Sequence, residues 1–198
     1  MNILFVGDIV GRPGRDLIQK GLRGLVEHHD IDCTIANAEN SAAGFGITRD
    51  IGDAILDWGV DVMTSGNHIW DKKEALEYIG TEPRLLRPAN YPAGVPGRGS
   101  YVVQTRDGRS VGVVNVMGRV FMTPLDDPFV VVLREIESIR QRERDVIANR
   151  ERIRRRQRSL GRRTSPRQTV ERRLAVQHEV VAVRRIGCDT SRLWILRI

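Results

Sequence analysis

The sequence predicts an α/β fold in which a parallel sheet is flanked by helices. Three apolar runs end in short polar strings, and roughly thirty residues separate each string from the next. A run of Val, Ile or Leu that stops at a polar residue is typical of a buried parallel strand, whose last side chain reaches the carboxyl edge of the sheet. Open α/β sheets place their sites at that edge. The strings are Gly7-Asp8, Ala38-Glu39-Asn40 and Gly66-Asn67-His68.

The N-terminal half reads as strands that alternate with amphipathic helices. Pro13 lies in a Gly-containing turn and favours the start of the first helix, and Thr48 is a good N-cap for the second. The predicted elements are strands over 2–7, 32–37 and 60–64 and helices over 15–28, about 49–58 and 71–79.

The following segments change character. Prolines make 85–92 extended, and Asp107-Gly108 predicts an antiparallel hairpin between 100–105 and 110–117. A helix is predicted over 129–144, with Val146-Ile147 starting another strand. The run 180–183 has strand character but no evident place in the sheet.

Composition narrows the class of protein. The hydrophobic fraction of 40% supports a core, and no apolar segment is long enough to suggest a membrane span. The chain enters a strand at Asn2 without the pattern of a secretory signal. Cys33 and Cys188 lie far apart, which predicts neither a disulfide framework nor a zinc site. We therefore expect a cytoplasmic protein.

The net charge of +7 is unevenly distributed. Residues 1–147 carry 17 Lys and Arg against 21 Asp and Glu, whereas residues 148–198 carry 15 Arg, no Lys and 4 acidic residues. The basic character therefore belongs to the last fifty or so residues, and the part with the polar strings is mildly acidic.

The polar strings contain the residue types of a metal centre for phosphate chemistry. Two divalent metals bind the non-bridging oxygens of a phosphoester and activate water, and a carboxylate between them screens their repulsion. Asn oxygens coordinate without adding charge, and a nearby His protonates the leaving alkoxide. The oxygen donors are Asp8, Glu39, Asn40 and Asn67, and the acid or base is His68.

Each string alone also has an ordinary structural interpretation. Asp8 fits a turn or a helix cap, and Glu39-Asn40 fits a loop. Asn67-His68 fits a cap beside a surface histidine. The metal-centre hypothesis depends on all three strings occurring in order, each after a strand.

The chain resembles a bacterial branch of the calcineurin-like metallophosphoesterases, described as 2′,3′-cyclic-nucleotide 2′-phosphodiesterases. The resemblance covers about residues 1–147, and the matching strings occur in the family's order. They are residues 2–15, 37–40, 66–73, 86–92 and 124–129.

This resemblance implies a fold and a set of roles. The fold would be the N-terminal half of a four-layer α/β/β/α sandwich with a centre of two divalent metals, iron, manganese or magnesium. Asp8 resembles a ligand of one metal and Glu39 the bridging carboxylate, while Asn40 and Asn67 resemble ligands of the second metal. His68 resembles the proton donor, and the implied substrate is a small phosphodiester.

The chain departs from the family after residue 147. Family members continue with Asp-Phe-His-Ala-Glu and Gly-Thr-His-Thr-His strings that supply more histidine ligands, and neither occurs here. We expect residues 148–198 to be a non-homologous Arg-rich tail that is disordered or out of frame. A genuine lineage-specific basic tail is the rival interpretation.

Three functional expectations follow from an incomplete site. The first is a phosphodiesterase by descent that binds a single hard ion weakly and turns over slowly or not at all. The second is a catalytically dead fragment whose basic tail attracts nucleic acid non-specifically. The third is pairing of a helix over 129–157 with another chain, as in a homo-oligomer.

Overall fold

The computed structural model describes residues 1–105, 108–161, 178–185 and 194–197. The chain alternates strands and helices up to Leu86 and continues with a strand pair, one long helix and two further strands. The elements are β1 (Asn2–Asp8), α1 (Gly11–His28), β2 (Cys33–Asn37), α2 (Arg49–Asp57), β3 (Val62–Thr64), a 3₁₀ helix (Asn67–Trp70), α3 (Lys73–Thr81), β4 (Leu85–Leu86), β5 (Ser100–Gln104), β6 (Ser110–Met117), α4 (Pro128–Gly161), β7 (His178–Arg185) and β8 (Trp194–Arg197).

The first sheet has the strand order β4-β3-β2-β1-β8. Strands β1 to β4 are parallel, and β8 adds to the outer edge of β1 in the antiparallel direction. All five residues of β2 are buried, as expected for a strand covered on both faces. The predicted parallel arrangement is confirmed, so the ends of β1, β2 and β3 share one edge.

The second sheet has the order β5-β6-β7. Strands β5 and β6 form the predicted antiparallel pair, and Gly108 at the turn has a φ of 83°, which glycine adopts without strain. All eight residues of β6 are buried, and β7 pairs with β6 in parallel. The run 180–183 therefore has a place beside β6, contrary to the sequence-based expectation.

Successive side chains of a strand point to opposite faces of its sheet, and the buried residues form three clusters. Leu4 and Ala36 face helices α1 to α3, whereas Ile3 and Ile35 face the second sheet, where they meet Val111 and its neighbours. A third cluster packs β6 against the start of α4. The order of layers is therefore helices, sheet, sheet and helix, which is the predicted α/β/β/α sandwich.

Helix α4 is longer than the sequence pattern predicted. The strand expected at Val146-Ile147 is wrong, because the helix continues without a break from Pro128 to Gly161. Arg, Glu and Gln dominate this segment, and their helix propensity outweighs that of two β-branched residues. Val146 is 51% exposed, so it does not belong to a buried core.

The predicted tail is described only in part. Residues 148–161 lie in α4, β8 belongs to the first sheet and β7 to the second, and the remaining tail lies outside the described residues. The boundary at residue 147 and the expectation of a disordered or out-of-frame tail stay predictions. Across the described ranges, the helices are too short or too polar to cross a membrane.

Candidate metal centre

The three polar strings meet at the carboxyl edge of the first sheet. Backbone bonds continue the pairing past the strands, with the Ile9 amide donating to the Asn37 carbonyl at 2.9 Å and Ala38 to Thr64 at 3.0 Å. These bonds hold the residues after β1, β2 and β3 side by side. Parallel strands thus place Asp8, Glu39 and the segment that begins at Gly66 in one cluster.

Asn40 joins the first two strings directly. Its Nδ2 donates to Asp8 Oδ2 at 2.7 Å, although 32 residues separate them. The Asn40 carbonyl accepts from the amides of Gly11 and Gly44, which fixes its backbone. Its Oδ1 is buried and accepts no hydrogen bond from the described part of the chain. An acceptor in that position is suited to a cation.

Glu39 joins the second string to the third. Its side chain is fully buried, and Oε2 accepts from the His68 amide at 3.2 Å. Its own amide donates to Asn37 Oδ1 at 3.1 Å, which forms a tight turn after β2. The carboxylate packs against Gly66, where a Cβ would lie 2.5 Å from Oε2. Only glycine leaves room for the carboxylate in this position.

His68 lies on the 3₁₀ helix at the rim of the cluster. Its Nδ1 is 2.7 Å from Asp71 Oδ2, and its side chain is 31% exposed. A carboxylate acceptor at Nδ1 holds the proton there and directs Nε2 away for other chemistry. The contact with Asp71 was missed from the sequence, although Asp71 directly follows the 3₁₀ helix and lies three residues after His68.

Asn67 lies between two residues that contact the Glu39 carboxylate. Gly66 packs on it and the amide of His68 binds it, so the half-buried Asn67 is beside the cluster. The structure therefore brings together all five residues predicted from the sequence. Whether each binds a metal or moves a proton stays a prediction.

The loop after Asn40 is anchored from two sides. Ser41 donates its hydroxyl to the Ala38 carbonyl at 2.8 Å, and its own carbonyl accepts from the Arg15 guanidinium on α1. The Phe45 ring lies 5.4 Å from the His68 ring at an interplanar angle of 70°. Neither Arg15 nor Phe45 was singled out from the sequence, because their partners are close only in space.

The donor set fits a hard divalent cation. Two carboxylates and amide oxygens are the ligands that magnesium and manganese prefer, and Asn40 Oδ1 is a buried acceptor. Within the described ranges, no three His, Cys, Asp or Glu side chains form a group that could hold a metal. The cluster thus resembles part of a metal centre, with an acid or base at its rim.

The fold and the cluster place the chain among the metallophosphoesterase-type α/β proteins. More particularly, it belongs to the YmdB-like family, whose model matches residues 4–149. It is 45% identical over 130 residues to the 2′,3′-cyclic-nucleotide 2′-phosphodiesterase of Bacillus subtilis (strain 168). That match covers 66% of this chain and 49% of the relative, so the chain spans about half the length of the relative.

Two solved structures support the fold. A protein of Thermus thermophilus, titled hypothetical, superposes with a TM-score of 0.64 at 40% identity, covering 69% of this chain and 53% of the other. A structure titled a novel phosphatase, from Mycoplasma pneumoniae, superposes with a TM-score of 0.62 at 29% identity, covering 69% and 50%. Both likenesses extend over the larger part of this chain.

Proposed function

We propose that this chain carries part of the active site of a metal-dependent phosphodiesterase that acts on small phosphodiesters such as 2′,3′-cyclic nucleotides. The observation that carries the proposal is the contact between Asn40 and Asp8 at 2.7 Å, with the buried Glu39 beside them. Asp8 ends β1 and Asn40 follows β2, so their side chains meet at the edge of the sheet. The phosphodiesterase activity for which the Bacillus subtilis relative is named supports the choice of substrate.

The donors divide into two groups around Glu39. In this proposal Asp8 would hold one cation, Asn40 and Asn67 would hold the second, and Glu39 would be the carboxylate shared by both. Iron, manganese or magnesium would supply Lewis acidity toward the phosphate oxygens and a water of lowered pKa. The His68 amide and Gly66 fix the Glu39 carboxylate, so it needs no rearrangement to act.

His68 is the residue best placed to handle a proton. Asp71 holds its Nδ1 side, and Nε2 is then available to protonate the oxygen that leaves phosphorus. Its partial exposure lets the proton be replenished from solvent. In this proposal the oxygen donors bind and orient the phosphate through the metal, and His68 transfers the proton.

The test is hydrolysis of 2′,3′-cyclic AMP with added Mn²⁺, read as nucleotide product over time. We expect slow, metal-dependent turnover, because the described donors make up only part of a centre. Asn67→Ala and His68→Ala should abolish it, whereas Asn149→Ala, an exposed site on α4, should not.

Fast turnover that vanishes in Asn67→Ala would contradict an incomplete site. Turnover that survives Asn67→Ala and His68→Ala would contradict the proposed site itself.

A second candidate function belongs to the C-terminal part of α4. Arg150, Arg152 and Arg154 are all exposed there, and such a surface attracts nucleic-acid phosphates by counterion release. This predicts RNA binding whose affinity falls steeply with salt. Replacing the three arginines by Gln should remove it, and unmeasurable binding at physiological salt would contradict it. The expected cytoplasmic location and homo-oligomer stay predictions.

A further inference from the structure

Phe45 is an exposed aromatic residue beside the acid-base group of the cluster. Its side chain is 58% exposed, and its ring lies 5.4 Å from the ring of His68. We propose that Phe45 is the specificity residue that stacks on the base of a nucleotide whose phosphate lies at Asp8, Glu39 and Asn40. This inference rests on the phosphodiesterase proposed above and adds the group that selects nucleotides.

The loop that carries Phe45 is held in a fixed shape. The amides of Ala42, Gly44 and Phe45 donate to the carbonyls of Gly46, Asn40 and Ala42 at 3.0, 3.1 and 3.2 Å. Ala43, Gly44 and Gly46 have φ values of 58°, 94° and 71°.

A left-handed conformation at a non-glycine residue is unfavourable, so Ala43 needs these surrounding bonds to keep it. The loop therefore presents the Phe45 ring to solvent in a preformed position. An exposed aromatic ring in a fixed position is suited to a ligand that packs against it.

The chemistry of the proposed substrate puts its base on this side. Hydrolysis adds the oxygen of water to phosphorus and breaks the bond between phosphorus and the 2′ oxygen. The 2′ oxygen takes a proton, and a nucleoside 3′-phosphate results. In the proposed site that proton comes from the His68 side, so the 2′ oxygen lies toward His68. The base is attached to C1′, which is bonded to C2′. The base therefore lies on the His68 side of the phosphate, and Phe45 is the aromatic residue in contact with His68.

Exposure alone does not distinguish Phe45. Phe129, at the start of α4, is also 58% exposed, but it lies in another layer of the sandwich. What distinguishes Phe45 is its contact with His68 and its position on the loop that follows Asn40. Phe45 and Phe129 therefore provide a matched pair for an experiment.

The experiment measures binding of adenosine 3′-monophosphate and of inorganic phosphate to the full chain by titration calorimetry with Mn²⁺ present. Wild type should bind the nucleotide more tightly than phosphate. Phe45→Ala should weaken nucleotide binding by about fivefold or more, since base stacking on an aromatic ring contributes at least that much. Phosphate binding should not change, Phe45→Trp should restore the nucleotide affinity, and Phe129→Ala should behave as wild type.

Two results overturn the inference, and they differ from failure of the proposed function. Equal affinity of wild type for nucleotide and phosphate would show that the base makes no contact. An unchanged nucleotide affinity in Phe45→Ala would show that the contact lies elsewhere. In both cases the phosphate site stands. If wild type binds neither ligand, the proposed function fails and the inference fails with it.

Discussion

Gly66 and Glu39 are packed so closely that no side chain fits between them. A Cβ on Gly66 would lie 2.5 Å from Glu39 Oε2 and 2.9 Å from Oε1, and Glu39 is fully buried. The backbone after β3 thus forms one wall of the carboxylate site. The position of a proposed metal ligand therefore depends on a residue that has no functional group of its own.

The first prediction concerns Gly66→Ala. The added methyl group must displace the Glu39 carboxylate, and overpacking of this kind costs about 1–3 kcal/mol of unfolding free energy. We expect weaker Mn²⁺ binding and a lower Tm.

Gly21→Ala on α1 is the control, since nothing lies within 4 Å of the Cβ that it adds. It should raise stability by about 0.5–1 kcal/mol. Equal effects of the two substitutions would show that Gly66 has no special role.

The second prediction concerns Asn40→Asp. It replaces the donor to Asp8 by a second carboxylate at the same 2.7 Å contact, so two like charges face each other. We expect a loss of about 2 kcal/mol without metal, followed by a larger rise in Tm on adding Mn²⁺ than in wild type. Thermal unfolding with and without Mn²⁺ measures both. Asn149→Asp adds the same charge at an exposed site on α4, and a similar response there would contradict a cation site at residue 40.

The third prediction concerns pH and the buried Tyr78. Burial, together with its hydrogen bond to Asp53 at 2.9 Å, raises the pKa of the Tyr78 phenol well above its usual value of 10.0. The folded chain therefore keeps the phenol protonated at a pH where the unfolded chain has lost the proton, so stability falls as pH rises above about 10. Tyr78→Phe should make this fall shallower while costing about 1 kcal/mol near neutral pH. Denaturant unfolding at pH values from neutral to strongly alkaline measures the slope, and an unchanged slope would contradict the assignment.

The fourth prediction concerns Asn115, which links the two sheets. From β6 its Nδ2 donates to the carbonyls of Ser65 at 2.7 Å and Leu86 at 3.1 Å. Asn115→Ala leaves the Ser65 carbonyl without this bond in a dry environment, which costs about 1–3 kcal/mol. The Ser65 hydroxyl still bonds to Leu86 at 2.8 Å. Asn149→Ala, made at an exposed position, should not lower stability in the same denaturant measurement. If Asn115→Ala is as stable as that control, the hydrogen bonds of Asn115 contribute nothing to stability.

The sequence was informative where local patterns decide the structure. Each of β1, β2 and β3 ends in a polar string, and the parallel arrangement follows from buried strands separated by helices. The Thr48 cap was predicted for the same reason, and its hydroxyl accepts from the Ile51 amide. The five site residues could therefore be placed at one edge before any distance was known.

Contacts between distant segments could not be predicted in this way. The pairing of β7 with β6 depends on tertiary packing, which no local pattern encodes. Asp71 and Phe45 matter only because both contact His68 in space. The strand expected at Val146-Ile147 failed for a related reason, since a β-branched pair carries little information inside a long run of helix-forming residues.

The position of β8 has a consequence for how the chain folds. β1 pairs with β2 across a short separation, but its other edge pairs Asn2 with Arg197 and Phe5 with Trp194. During synthesis that edge stays open until residues 194–197 have left the ribosome. Contacts of such long sequence separation form late and slowly. Strand β1 therefore gains its second partner late, and in the meantime its open edge is a site for aggregation.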